Sequence, residues 1–184
     1  MTIQVLGRRR CRRSGRSRWL LTLAVPLMVA LVLTAKAWAT PSYLLTLQTL
    51  AFGVAQDGIS EHMQVSTNPN GTVTPWQMQL QAQGDTDYHL ARLVVSPSGH
   101  SGWHSHAGLL IGVVQSGQID FYDAHCQKHT VGPGEVYTED DEVHAIANTG
   151  TVDAELYITF LVKHGAPRRR DEPAPDCASE TGIP

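Results

Sequence analysis

Two histidines two residues apart, His104 and His106, stand in the stretch Gly99-His100-Ser101-Gly102-Trp103-His104-Ser105-His106-Ala107-Gly108. On a β-strand, residues i and i+2 point to the same face. Two imidazoles side by side on one face make two legs of a metal site. A third, His144, lies 38 residues downstream in Val143-His144-Ala145-Ile146-Ala147-Asn148. That length of chain suffices for a hairpin or two to return it to the pair. Three imidazoles would hold one divalent transition metal, and Fe, Mn, Zn, Cu and Ni all remain open. Glu142, two before His144, would share its face on an extended backbone and is a further candidate ligand. It also belongs to the acidic run Glu139-Asp140-Asp141-Glu142, which reads more simply as a solvated loop.

The elements that must position these side chains read as strands. Trp76, Met78 and Leu80 alternate with Gln77, Gln79 and Gln81, the pattern of a half-buried strand. Tyr88 to Ser96 is another, and residues 109–122 read as a hairpin around Gly117. Strands follow at 135–138 and 144–147, and Ala154 to Lys163 is rich in β-formers. Asn68-Pro69-Asn70-Gly71 and Gly84-Asp85-Thr86-Asp87 are turns. Residues 43–52 fit helix or strand equally. Eight or more short strands with regular turn signals are the cue for an all-β jelly-roll barrel.

These residues resemble the cupins, small β-barrels with a metal at the centre. Gly99, His104, His106 and Gly117 match the first cupin motif, with the first spacer one residue short. Gly134, His144 and Asn148 match the second, one residue short before the His. The resemblance covers about Leu80 to Val162 and implies a cupin-type jelly-roll β-barrel. Two departures stand out. Leu110 occupies the position of the family's Glu ligand, and the acidic run replaces the Pro-x-Gly turn. Leu110 would then give the site an apolar wall and leave the full charge of the ion for an anionic or chelating ligand. Trp103 and Tyr157 are expected to line the pocket beside it.

The first 39 residues read as something other than fold. Seven Arg and no acid precede an apolar stretch from Leu20 to Ala35, and Ala37-Trp38-Ala39 follows. Basic, apolar and Ala-x-Ala segments in that order are the parts of a secretory signal peptide. The protein is therefore expected to be exported, to a periplasm or beyond, with cleavage before Thr40. The alternative is a membrane anchor through residues 19–39. Residues 40–75 are expected to form an N-terminal arm, 76–164 the barrel, and 165–184 a Pro-rich tail. The layout resembles exported single-domain cupins that carry Trp-His-Ser-His-x-Gly and a late Cys.

Past Thr40 the chain holds six Lys and Arg against 17 Asp and Glu, a formal charge of −11 where the whole chain has −3. Such a surface repels nucleic acid and anionic membrane. Two of the three cysteines, Cys126 and Cys177, lie in this part. In an oxidising compartment they allow one pairing, a disulfide across the tail, against two free thiols or a bond between chains. No phosphate-binding Gly loop, nucleophile elbow or paired catalytic carboxylates appear. Catalytic residues are therefore not assigned. Two functions stay open: an oxygenase-like metal enzyme on a small molecule, or a non-catalytic cupin binding a small ligand or metal outside the cytoplasm. The resemblance also makes a homodimer possible, since cupins often pair through the outer sheet.

Overall fold

A computed structural model describes residues 39–65 and 76–184. The leader segment, Cys11 and the turn at residues 68–71 lie outside the described residues. Among those described, twelve strands occur: β1 (Tyr43–Ala55), β2 (Gly58–Val65), β3 (Trp76–Gln83), β4 (Thr86–His100), β5 (His104–Ser105), β6 (Gly108–Ser116), β7 (Ile119–Tyr122), β8 (Lys128–Val131), β9 (Val136–Glu139), β10 (Ala145–Ala147), β11 (Ala154–Lys163) and β12 (Arg170–Asp171). The only helical piece among them is a 3-10 turn, Ala178–Glu180, so none is long and apolar enough to cross a membrane.

The main sheet has the order β8-β7-β10-β4-β11-β6-β9, with β1 added along β4. Its pairs are antiparallel. The sheet wraps into a nearly closed barrel, as the strand pattern and the cupin resemblance imply. Strand alternation builds its interior. On β11, Ala154, Leu156, Ile158, Phe160 and Val162 are buried, each one residue from a less buried neighbour. They pack with Leu93 and Val95 of β4 and Leu110 and Val114 of β6 into one core. Fully burying a side chain of this size contributes roughly 1.5–3 kcal/mol.

The segment 43–52, open between helix and strand in the sequence, is strand, part of β1. It pairs with β4 from Tyr43 opposite His100 to Ala55 opposite Thr86, so it belongs to the barrel wall. The Trp76–Gln83 strand does not. It pairs with β2 in a separate two-stranded hairpin, and Trp76 and Met78 are exposed. Its alternation therefore has no core beneath it. Strands on either side of residue 75 thus pair with one another, β1 with β4 and β2 with β3.

Gly112 marks a close approach inside the barrel. It stands directly opposite Tyr137 on β9, and a Cβ there would lie 2.3 Å from the Tyr137 ring. Only a glycine leaves room for that ring against the strand.

The C-terminal tail is ordered as a strap. β12 pairs with β5, placing Arg170 opposite Ser105 and Asp171 opposite His104. The Glu172 N–H donates to the Trp103 carbonyl at 3.0 Å, and Ser105 Oγ donates to Glu172 Oε1 at 2.8 Å. A disulfide joins Cys126 to Cys177. Beneath the strap a second apolar cluster forms from Trp103, Tyr122, Ala145, Ala147, Ala178 and Ile183.

Candidate metal centre

His104 and His144 are locked together through their main chains. Each donates its backbone N–H to the other's carbonyl at 2.9 Å, an isolated antiparallel bridge between the two segments. His106 follows two residues after His104, and its backbone N–H donates to the Asp140 carbonyl at 2.9 Å. The three rings gather with centroids 4.4, 4.9 and 5.1 Å apart.

A carboxylate completes the group, and it is Glu139. One ligand atom each from His104, His106, Glu139 and His144 lies within 4.8 Å of the others, and all four residues are buried. The sequence offers Glu142 as a candidate but reads it more simply as part of a solvated loop, and the structure places it outside the cluster. Glu142 is exposed, because Asp140 Oδ1 accepts its backbone N–H at 3.0 Å and turns the chain. The extended register that would align Glu142 with His144 is lost there. Glu139 ends β9, where Tyr137 and Glu139 are buried and Val136 and Thr138 exposed. That alternation was the available signal: an inward Tyr137 puts Glu139 inward too.

Leu110 sits directly opposite Glu139 across the β6–β9 pair. It lines the cavity and is 2% exposed. The expectation that Leu110 strips the site of a carboxylate fails, because the facing strand supplies one. Tyr157 and Trp103 were expected in the pocket and are not there. Tyr157 falls on the outward face of β11, between inward Leu156 and Ile158, and pairs with Val113 and Arg92. Trp103 is wholly buried in the cluster under the strap. Tyr137, which the sequence reading passed over, lines the cavity.

The hydrogen bonds at the rings bear on whether a cation fits. Nδ1 of His104 meets the Gly102 carbonyl at 3.0 Å, and Nδ1 of His144 meets the Glu142 carbonyl at 2.7 Å. Nδ1 of His106 meets the Arg168 carbonyl, on the strap. A carbonyl only accepts, so each Nδ1 carries a proton and donates it. Neutral rings of this tautomer present bare Nε2 lone pairs to the centre. There Nε2 of His106 lies 2.9 Å, and Nε2 of His144 3.4 Å, from Glu139 Oε2. His144 Nε2 is buried without a hydrogen-bond partner. Lone pairs of three nitrogens and a carboxylate converging at these distances require a positive charge among them. The donor set and its tautomers fit a divalent metal ion.

The electrostatics agree. Burial pushes the His104 imidazole down to about 3, against the pull of Glu139, so this ring stays neutral. Burial alone would raise the Glu139 carboxyl. Without an ion, protons on the Nε2 atoms of His106 and His144 outweigh it and hold the carboxyl ionised, well below the usual carboxylate range. Glu139 in turn raises His144 above its ordinary value against the effect of burial. A bound cation would take the place of those protons.

Beside the cluster lies a small cavity of about 70 Å³, partly open to solvent. Its lining is largely apolar, with Ser101, Tyr137 and Arg169 as the polar members besides the cluster. Asn148, which matched the second motif, has a structural part. It is 1% exposed, and its amide donates to the carbonyls of Val95 at 2.7 Å and Val152 at 2.8 Å.

A family model described as the cupin domain matches residues 91–160. No curated protein matches the chain significantly in sequence. Among solved structures, the polyketide cyclase RemF from Streptomyces resistomycificus is 19% identical, with a TM-score of 0.43 over 52% of this chain and 72% of that one. A recombinant oxalate oxidase in complex with glycolate is 21% identical, with a TM-score of 0.37 over 40% and 41%. The cupin domain of an XRE family transcriptional regulator from Enterobacter cloacae is 12% identical, with a TM-score of 0.40 over 68% and 100%. With its all-β barrel and its match over residues 91–160, the described part of the chain carries a cupin domain.

Proposed function

We propose that this cupin holds one divalent transition-metal ion on His104, His106, His144 and Glu139 and presents it to a small molecule in the barrel. The observation that carries this reading is the common tautomer: all three Nδ1 atoms donate to carbonyls, which leaves three Nε2 lone pairs facing one carboxylate. Three nitrogens and one oxygen suit Fe, Mn, Zn, Cu or Ni. A bound ion would supply Lewis acidity and, if redox-active, electron transfer suited to an oxygenase-like reaction. Around it the chain's own residues position and exclude. Leu110, Ile158 and Phe160 keep water from the cavity wall, and the main-chain bridge fixes two of the rings.

Non-catalytic ligand binding is the second reading, and one observation favours it. Among the cavity-lining residues no ionisable side chain outside the cluster is placed as a general base. Ser101 Oγ is already committed to the Gly102 carbonyl and the Ile146 N–H.

We also propose that the domain works outside the cytoplasm. The composition of residues 1–39 and the Cys126–Cys177 disulfide support this, since such bonds persist in oxidising compartments.

The test is elemental analysis of purified protein, alone and after incubation with each of the five metals. Near-stoichiometric metal that is lost in His106→Ala and in His144→Ala is expected. Full loading in both variants, or no metal under any condition, sinks the reading. Oxygen uptake by the iron-loaded protein with candidate acids then separates enzyme from binder.

A further inference from the structure

Hydrocarbon makes up most of the cavity wall, with Leu45, Leu93, Leu110, Ile158 and Phe160 prominent in it. One guanidinium breaks this wall. Arg169, on the strap, lines the same cavity as His104 and His106. Its Nη2 donates to the Ser101 carbonyl at 2.7 Å and its Nε to Asp171 Oδ1 at 2.6 Å. Those bonds tie one side of the fork to the barrel and to the strap. Among the described residues Nη1 makes no hydrogen bond.

Charge is distributed so as to make this position unusual. Arg168, Arg169 and Arg170 are half of the six cationic residues past Thr40, set against 17 acids. Arg170 is occupied with Ser105 Oγ and the His106 carbonyl. Arg168 lies over the Phe160 ring, 5.5 Å from its centroid, and reaches Thr49 Oγ1. Arg169 is left facing the cavity. An acidic exterior repels anions, whereas one guanidinium at an apolar cavity attracts them locally.

We propose that Arg169 selects the ligand, and that the ligand is a small carboxylic acid with an apolar body. The carboxylate lies on the guanidinium, and the body lies against Leu93, Leu110, Ile158 and Phe160. Arg and carboxylate are matched in shape, and the bond between them is charge-assisted. A single negative charge is favoured over a phosphate dianion, because Asp171 already balances part of the Arg169 charge. The cavity is small, about 70 Å³, which sets a limit on the body. The inference rests on the reading of this cavity as the ligand site of a metal-binding cupin.

The test is calorimetric titration of the zinc-loaded full chain with hexanoate, phenylacetate, hexanamide and inorganic phosphate. Metal content is measured on every sample. Hexanoate and phenylacetate should bind at least about tenfold more tightly than the neutral amide or phosphate. Arg169→Gln should lose about tenfold or more for the acids and keep its metal. Arg169→Lys should retain part of the affinity. Lys163→Gln, which removes one positive charge away from the cavity, should bind like wild type.

Equal acid affinity in wild type and Arg169→Gln overturns the proposal, since metal or wall alone would then hold the anion. So does failure of wild type to bind either acid at millimolar concentration, or tighter binding of phosphate. If Arg169→Gln does not fold, the acid-over-amide preference of wild type decides, and equal affinities overturn it. Arg169-dependent acid binding to protein that takes up no metal would leave this inference standing and remove the metal reading.

Discussion

Replacing Cys177 with Ser, in a chain that also carries Cys126→Ser, cuts the covalent tie between strap and barrel and leaves no thiol to mispair. The bond spans a sequence separation of 51 residues. In the chain-entropy treatment, closing a loop of that size lowers the entropy of the unfolded chain by about 14 cal/mol/K, or about 4 kcal/mol at 25 °C. For a domain near 150 residues, 1 kcal/mol shifts the melting temperature by roughly 3–4 °C. The double variant should therefore melt roughly 12–16 °C below the oxidised wild type. Calorimetry or circular dichroism reads this directly, and wild type in reductant should melt with the variant. In the folded state the strap keeps its pairing with β5, the Glu172 bond to Trp103 and the Arg170 bonds. Metal content at 25 °C should consequently stay close to wild type. A fall of less than about 4 °C would refute the argument, since the loop would then add little to the order lost on folding. A separate low-temperature transition in the variant would refute it differently, by showing that the strap melts alone.

Glu139→Gln should weaken metal retention at least about tenfold in chelator competition while leaving the three rings in place. Leu110→Glu puts a second carboxylate directly across from Glu139 and removes a buried Leu. Metal-free protein should lose about 3 kcal/mol or more in thermal melts, and an unchanged melt would mean residue 110 does not face inward. Gly112→Ala drives a methyl group into the Tyr137 ring and should destabilise by about 1–3 kcal/mol in denaturant titration. His164 Nδ1 lies 2.6 Å from Asp87 Oδ1. That bond raises the imidazole above its ordinary value and lowers the carboxyl below its own. The His164 contribution is full below its unfolded value and fades as pH rises through the raised folded one. The Asp87 contribution is present above its unfolded value and fades as pH falls through the lowered folded one. NMR titration should show His164 returning toward 6.5 in Asp87→Asn, and no movement would disprove the pairing.

The three histidines were legible in the sequence because their spacing and the flanking glycines are local facts, and the fold brings them together. Glu139 was hidden inside an acidic run. Composition suggests a wet loop there, and only the parity of the preceding strand, with Tyr137 inward, says otherwise. The same parity sends Tyr157 outward, which its aromatic character concealed. Trp103 was misplaced for a non-local reason: the strap that covers it lies about 70 residues further along the chain. β1 was ambiguous because Leu44, Leu47, Leu50 and Phe52 are all exposed, so burial imposes no period on it. The β2–β3 hairpin shows the converse, a clean alternation over no core.

The main-chain bridge between His104 and His144 has a mechanical consequence. Two side chains carried on a doubly hydrogen-bonded pair cannot drift apart unless both bonds break. The gap they offer is a stiff jaw rather than a flexible grip. An ion must suit that width, so ions much larger or smaller than the gap should be taken up more weakly when divalent metals compete for the site.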